Sequence, residues 1–304
     1  MRVISPVTVT DGMLKSSNVG ATTQPAWSSA ATYSVGAKVQ VGTRIYQSLQ
    51  ASNLNKTPAD TANASWWADI GPTNRWAMFD SEINTQTVVT DAVTSSASLV
   101  VSITPGLVNS IALLELSANT VKVEVFESST STDAVYSKLI ALDYTDIQDW
   151  YAYFFEPTSK MTLIHLEDLP PYSSGVIKVT VSGGSEVRCG ALVVGNVVDL
   201  GDTRYGASIG INDFSKKSTN DFGVTTLVKR AYSNRANFSF VVKTRYLDRV
   251  KRTLADLRAT NCLWVGIASN DYTITVIFGF YKEFSLDLAT RDLNYCSLSI
   301  EGMI

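Results

Sequence analysis

A single histidine and three cysteines stand among the 304 residues of this chain. His165 alone makes no zinc site, and Cys189, Cys262 and Cys296 are too widely spaced to supply the missing ligands. An odd number of cysteines set in apolar, strand-like contexts argues against a disulfide framework and for reduced, buried thiols. That places synthesis in a reducing cytoplasm. No stretch approaches the roughly 18 consecutive apolar residues that a membrane helix needs, so no membrane insertion is expected. The start, Met1–Pro6, lacks the apolar segment and small-residue cleavage site of a signal peptide. No Walker-type loop occurs. With no metal-ligand spacing either, neither metal nor cofactor is expected.

What is present is the composition of a globular protein, 17% charged and 45% hydrophobic, with a net charge of -3. The length allows about two domains, or three if one is small. The net charge hides a segregation: from Asp213 to Arg258 there are 11 Lys/Arg against 4 Asp/Glu, and elsewhere 14 against 24. A basic surface built on Lys216, Lys217, Arg249, Lys251 and Arg252 would meet either phosphates or the acidic body of a neighbouring copy. Aromatic interleaving and a nucleic-acid motif are both missing, so contact between copies is favoured and nucleic acid is not expected as a partner.

Four segments follow from the pattern. Residues 1–25 are polar and turn-rich, an extended arm that docking would order. Residues 26–72 form a small aromatic β module, with short strands at Lys38–Gly42 and Arg44–Leu49 around a glycine turn. So small a domain must draw its buried area from large aromatics. Residues 73–200 carry β-branched runs broken by Pro, Gly and Ser, which predicts a β-sandwich. Within it the aromatic stretch Asp146–Pro157 is expected to plug one end. Residues 201–304 combine strands with one helix over Arg245–Ala259, whose Tyr246, Val250, Leu254 and Leu257 make an apolar stripe. The fold class is therefore mainly β with a C-terminal α+β domain, an antiparallel sheet with one packed helix.

At the seam between module and body lies Gly71–Asp80. Pro72 removes a backbone donor. Trp76, Met78 and Phe79 are too apolar to leave wet. The expectation is a rigid interdomain strap formed by Asn74, Arg75, Trp76, Met78, Phe79 and Asp80, with Arg75 and Asp80 free to pair at its ends. An ordinary first strand of the next domain is the competing reading.

Candidate chemistry is sparse. Asp143, Asp146, Asp149 and Glu156 cluster in sequence, but neighbouring acids in a turn are ordinarily solvated rather than facing each other. Gly201-Asp202-Thr203 has Thr where an esterase nucleophile block has Ser, and His165 lies in an apolar strand. No catalytic residues are assigned and no enzyme activity is expected.

Two resemblances add to this. Trp27, Tyr33, Gly36, Val39, Gly42, Tyr46, Pro58 and Trp66 resemble the pattern of small carbohydrate-binding modules of families five and twelve. The resemblance implies a glycan-stacking face drawn from Trp27, Tyr33, Tyr46, Trp66 and Trp67. The sequence departs from it at Ser48–Asn53, where sugar-binding members carry adjacent exposed aromatics. Across the whole chain, Val9–Val19, the Asn-Arg-Trp-Ala-Met-Phe-Asp heptad of Asn74–Asp80, Trp150–Pro157, Tyr205–Ala207, Asp213–Lys217 and Glu301-Gly302 resemble tailed-bacteriophage virion proteins. That implies a structural tail component near the distal end or baseplate. Its partners would be copies of itself in a ring and other tail proteins, and its location the virion. The alternative it leaves is a receptor-binding adhesin that contacts host-surface glycan through the module.

Overall fold

A computed structural model of the chain describes residues 1–80, 82, 84–144, 149–155, 159–219, 221–267 and 270–303. It is mainly β and divides into two compact units. One is Met1–Val7 with Val194–Ile304, and the other is Thr8–Val193.

The first unit is an antiparallel sheet with a helix packed on it. Arg2–Pro6, expected in the extended arm, is a strand paired with residues 195–199 on one side and with Cys262–Val265 on the other. The order continues through Val276–Asp287, Leu293–Gly302 and Tyr232–Lys243, and this last strand also takes Asp202–Thr203 and Ser208–Asp213. Strict alternation sets the register of Leu293–Gly302. Asn294, Cys296, Leu298 and Ile300 turn inward, while Leu293, Tyr295 and Ser297 stay exposed. A one-residue slip would exchange the two sets.

The core of this unit gathers Phe238, Phe240, Trp264, Cys296 and Leu298 against Val250, Leu254 and Leu257. The helix, Leu247–Asp256, is shorter than the sequence suggests. Its first turn tightens to a 3-10 helix at Thr244–Tyr246, and Ala259 adopts a left-handed φ of 57° just beyond the end. The expected stripe loses its first member. Tyr246 stays at the surface under the guanidiniums of Arg245 and Arg249, 4.6 and 5.2 Å from its ring centre. Asp248 in the first turn suits the positive end of the helix dipole. Gly279 lies opposite Gly302, and a Cβ there would meet the Glu301 carbonyl oxygen at 2.1 Å, so only glycine lets these strands approach.

The second unit holds the sandwich and the module. Its main sheet runs Tyr136–Ala141, Thr120–Phe126, Val176–Ser182, Ser98–Ile103 and Leu14–Ser17, all antiparallel. Thr120–Phe126 and Ser98–Ile103 bury every second residue, as strands with one wet face must. Ser110–Leu114 is buried at all five residues and pairs with Ile164–Leu166, while Thr87–Thr90 pairs with Glu186–Cys189. The module contributes a three-stranded sheet where two strands were expected, Lys38–Val41, Arg44–Ser48 and Trp67–Pro72, and a short pair of Thr32–Tyr33 with Asn53–Leu54.

The aromatic stretch does not plug the sandwich. Residues 145–148 and 156–158, which include Asp146 and Glu156 of the acid cluster, lie outside the described residues. Between them Trp150–Phe155 is a six-residue helix, and Trp150, Tyr151, Phe154 and Phe155 are 67–78% exposed. At ~100° per residue the four rings fall on one side of the helix, and that side stays exposed. They contact each other one turn apart instead, Trp150 with Phe154 and Tyr151 with Phe155, at centroid distances of 6.3 and 5.0 Å.

All three cysteines are free and buried, and burial pushes their thiols up, to about 12 for Cys189 and Cys262 and about 11 for Cys296. His165 lies in Ile164–Leu166 with Nε2 3.9 Å from Glu167 Oε1. Burial lowers its proton affinity, Glu167 opposes this in part, and Lys138 adds to the lowering. The unfolded imidazole takes its proton near pH ~6.5, before the folded one does. Stability is therefore full above that pH and falls as the pH drops toward the folded value. Urea unfolding of the wild type should show this loss between about pH 7 and 5, and His165→Gln should flatten the slope.

Candidate functional site

The strap is a hydrogen-bonded corner, neither a loose joint nor a first strand. Trp67–Pro72 ends against Arg44–Ser48, and the chain then turns through Thr73–Trp76 into a 3-10 helix at Ala77–Phe79. The Thr73 carbonyl accepts from the amides of Trp76 and Ala77 at 2.8 and 3.0 Å. Asn74 uses its side-chain amide as a spare peptide group. Its Nδ2 donates to the Val88 carbonyl and its Oδ1 accepts the Val88 amide, both at 2.8 Å. The Thr87 hydroxyl donates to the Asn74 carbonyl at 2.7 Å and accepts the Met78 amide at 3.0 Å. Arg75 and Asp80 have separate partners: Arg75 Nε donates to the Val19 carbonyl at 2.8 Å, and Asp80 accepts from Thr85 Oγ1 at 2.6 Å.

Asn74→Ala would leave both polar groups of Val88 without their partner at a half-buried site. It should cost about 2 kcal/mol, read as a fall in the thermal midpoint. Asn74→Asp keeps the acceptor, loses the donor, and sets a carboxylate against a carbonyl, so it should not rescue.

Beside this corner is a cleft of about 320 Å³ lined in part by Asp11, Arg44, Trp76, Phe79 and Asp80. Two of its charged groups already have protein partners. Arg44 Nε donates to Asp69 Oδ2 at 2.5 Å, and Asp80 accepts from Thr85 Oγ1 and the Glu82 amide. Burial raises the Asp80 carboxyl, and those two hydrogen bonds oppose the rise.

Of the five aromatics implied as a glycan face, one is taken by the core. Trp67 is buried, its Nε1 donates to the Lys56 carbonyl at 2.8 Å, and Tyr33 packs edge-on to it at 5.3 Å. The Tyr33 hydroxyl is held by the Ser28 amide at 2.7 Å. Trp27, Tyr46 and Trp66 are half-buried, and the Lys56 ammonium lies 5.5 Å from the Trp66 ring centre, covering one face.

The basic residues are all exposed. Lys216 and Lys217 lie on a two-stranded ribbon, Lys216–Thr219 against Thr225–Val228, that precedes Tyr232–Lys243. Arg249, Lys251 and Arg252 lie on the helix that follows the same strand. That strand has 12 residues, and at ~3.3 Å per residue it spans about 36 Å. The set is therefore carried at both ends of one strand. Arg249 Nη2 donates to the Asp199 carbonyl at 2.9 Å, and among the described residues none of the five forms an ion pair within 4.0 Å.

The ribbon is the feature that sequence reasoning missed. Its strands are only four residues long and mostly polar, so they lack the alternation that marks a half-buried strand. The available signal was a turn at Asp221-Phe222-Gly223, where Gly223 takes a φ of 77°, between two short runs that each contain Thr. All eight strand residues are exposed. Among the described residues no group of three or more His, Cys, Asp or Glu side chains is placed to hold a metal, and no helix is long and apolar enough to cross a membrane. No protein-family model matches the sequence, and no curated protein matches it.

Proposed function

We propose that the chain is a structural component of a bacteriophage tail, near the distal end, that works by binding copies of itself in a ring and other tail proteins. The observation that carries the self-assembly is how charge follows the division into units. Thr8–Val193 holds 10 Lys/Arg and 17 Asp/Glu, a balance of -7, whereas Met1–Val7 with Val194–Ile304 holds 15 and 11, a balance of +4. Opposite signs on two units of one chain let the basic unit of one copy meet the acidic unit of the next. Such a head-to-tail contact closes into a ring when the rotation between copies allows it. The virion setting rests on the sequence resemblance alone. Glycan binding by the module is the weaker reading, because Trp67 is buried in its core with Tyr33 packed edge-on to it.

Sedimentation velocity tests the assembly. The expected result is a discrete oligomer near 0.05 M salt that dissociates toward 1 M, where the Debye length shrinks to about 3 Å. A monomer at every salt and protein concentration rejects the reading. A glycan array on which the wild type binds and Trp66→Ala does not would favour the adhesin instead.

A further inference from the structure

The cleft beside the strap has a lining that ring assembly does not use. Trp76 and Phe79 form its apolar part, with ring centroids 5.5 Å apart and planes tilted by 58°. Two walls at that angle suit a puckered ring better than a flat one, because a planar ligand can lie on only one of them. The polar part mixes donors and acceptors. Arg44 Nε is taken by Asp69, but its two terminal nitrogens have no protein partner among the described residues. Among the same residues, neither do the Asp11 carboxylate and the hydroxyls of Thr10 and Thr43, which also line the cleft. Asp80 accepts the Glu82 amide on Oδ1 and the Thr85 hydroxyl on Oδ2. Each of these oxygens can still take one more donor.

This lining rules out most ligand classes. It sets two carboxylates against one guanidinium, so a phosphate or carboxylate ligand would meet net negative charge. A wholly apolar ligand would strip water from Arg44, Asp11 and both threonines and return no hydrogen bond. What fits is a neutral ring with hydroxyls around its edge and C–H bonds on its face. The hydroxyls can donate to Asp11 and Asp80 and accept from Arg44. The slightly positive C–H face can meet the negative faces of the aromatic rings. A volume of about 320 Å³ lies at the small end of ligand pockets.

We infer that this cleft binds a neutral pyranose ring, with Trp76 and Phe79 as its apolar walls and Asp11, Arg44 and Asp80 as its hydrogen-bonding partners. The inference goes beyond the assembly proposed above and does not depend on it. It also needs none of the module aromatics Trp27, Tyr33, Tyr46, Trp66 and Trp67.

Saturation-transfer NMR tests it with the methyl glycosides of glucose, galactose, mannose, rhamnose and N-acetylglucosamine. N-acetylneuraminic acid is the charged control. At least one neutral sugar should receive saturation, with a Kd on the order of 1–10 mM for a ligand of so few atoms, and the charged control should receive none. Asp11→Ala removes an exposed group that has no protein partner among the described residues, so the unfolding midpoint should match the wild type. Binding should weaken about tenfold. Trp76→Ala should abolish the transfer while keeping a wild-type circular dichroism spectrum, and Trp66→Ala should bind as the wild type does. Absence of transfer to every neutral sugar overturns the inference. So does wild-type binding in either Asp11→Ala or Trp76→Ala, loss of binding in Trp66→Ala, or equal transfer to N-acetylneuraminic acid. Asp11→Ala should sediment as the wild type does, so the cleft and the ring are tested separately.

Discussion

Trp264→Ala is expected to lower the unfolding free energy of the unit formed by Met1–Val7 and Val194–Ile304 by about 4 kcal/mol. The side chain is fully buried in the middle of the core, on the strand next to Arg2–Pro6. Truncation removes one of the largest apolar surfaces in the unit and opens a cavity under the helix. It also strips the Gly279 carbonyl of the indole N–H that donates to it at 2.9 Å. The loss then spreads along a short chain of contacts. Tyr281 packs edge-on to the Trp264 ring at 6.0 Å, and its hydroxyl donates to the Leu254 carbonyl at 2.8 Å, near the end of the helix. With the ring gone, Tyr281 loses its backing and the last helical turn its tether. Hydrogen exchange should show the amides of Leu247–Asp256 opening faster, together with the lower urea midpoint. Trp264→Phe keeps most of the volume and loses the donor, so about 1–2 kcal/mol is expected there. An exchange pattern unchanged in the helix would break the proposed link through Tyr281.

Met78→Ala should cost the second unit about 3 kcal/mol, within the span of buried Met-to-Ala changes. Met78 has no exposed surface, although it lies in a three-residue 3-10 turn on the strap. Its amide shares the Thr87 hydroxyl with the Asn74 carbonyl, so the side chain anchors the point where two hydrogen bonds meet. Trp76→Ala should cost less, about 1–2 kcal/mol. That ring is half-buried and contacts Phe79 at 5.5 Å. The two variants should separate in limited proteolysis: Met78→Ala should expose the chain near residue 72 to cleavage below its global unfolding temperature, while Trp76→Ala should do so weakly. Equal resistance in Met78→Ala and wild type would mean the strap is held by the hydrogen bonds of Asn74 alone.

The sequence revealed those parts of the fold whose side chains report on burial. Thr120–Phe126 and Leu293–Gly302 alternate cleanly, so strand and register were both legible. The helix was legible from Val250, Leu254 and Leu257, and its ends were not, because cation contacts hold Tyr246 out and the backbone, not the side chains, ends it. The pairing of Arg2–Pro6 between residues 195–199 and Cys262–Val265 left no local mark, since partners so distant in sequence do not shape the pattern of a five-residue strand. The strap was legible as buried and apolar. Its conformation was not, because it depends on Asn74 finding Val88, a contact that no periodicity encodes. Trp150–Phe155 misled for a physical reason: aromatic density reads as core, yet helical rings can satisfy one another at the surface. For the candidate site, the individual basic residues were legible as exposed, but the ribbon that carries two of them was not.

Arg2–Pro6 also has a consequence for how the protein is made. This strand leaves the ribosome long before its partners at residues 195–199 and Cys262–Val265. At roughly 5–20 residues per second the wait is tens of seconds. Thr8–Val193 has its whole chain available well before that and can complete its own sheets during translation. The other unit, which encloses it in sequence, closes only once the C-terminal strands arrive. Nascent chains stalled before Cys262 should hold a protease-resistant Thr8–Val193 region with Arg2–Pro6 still open to cleavage.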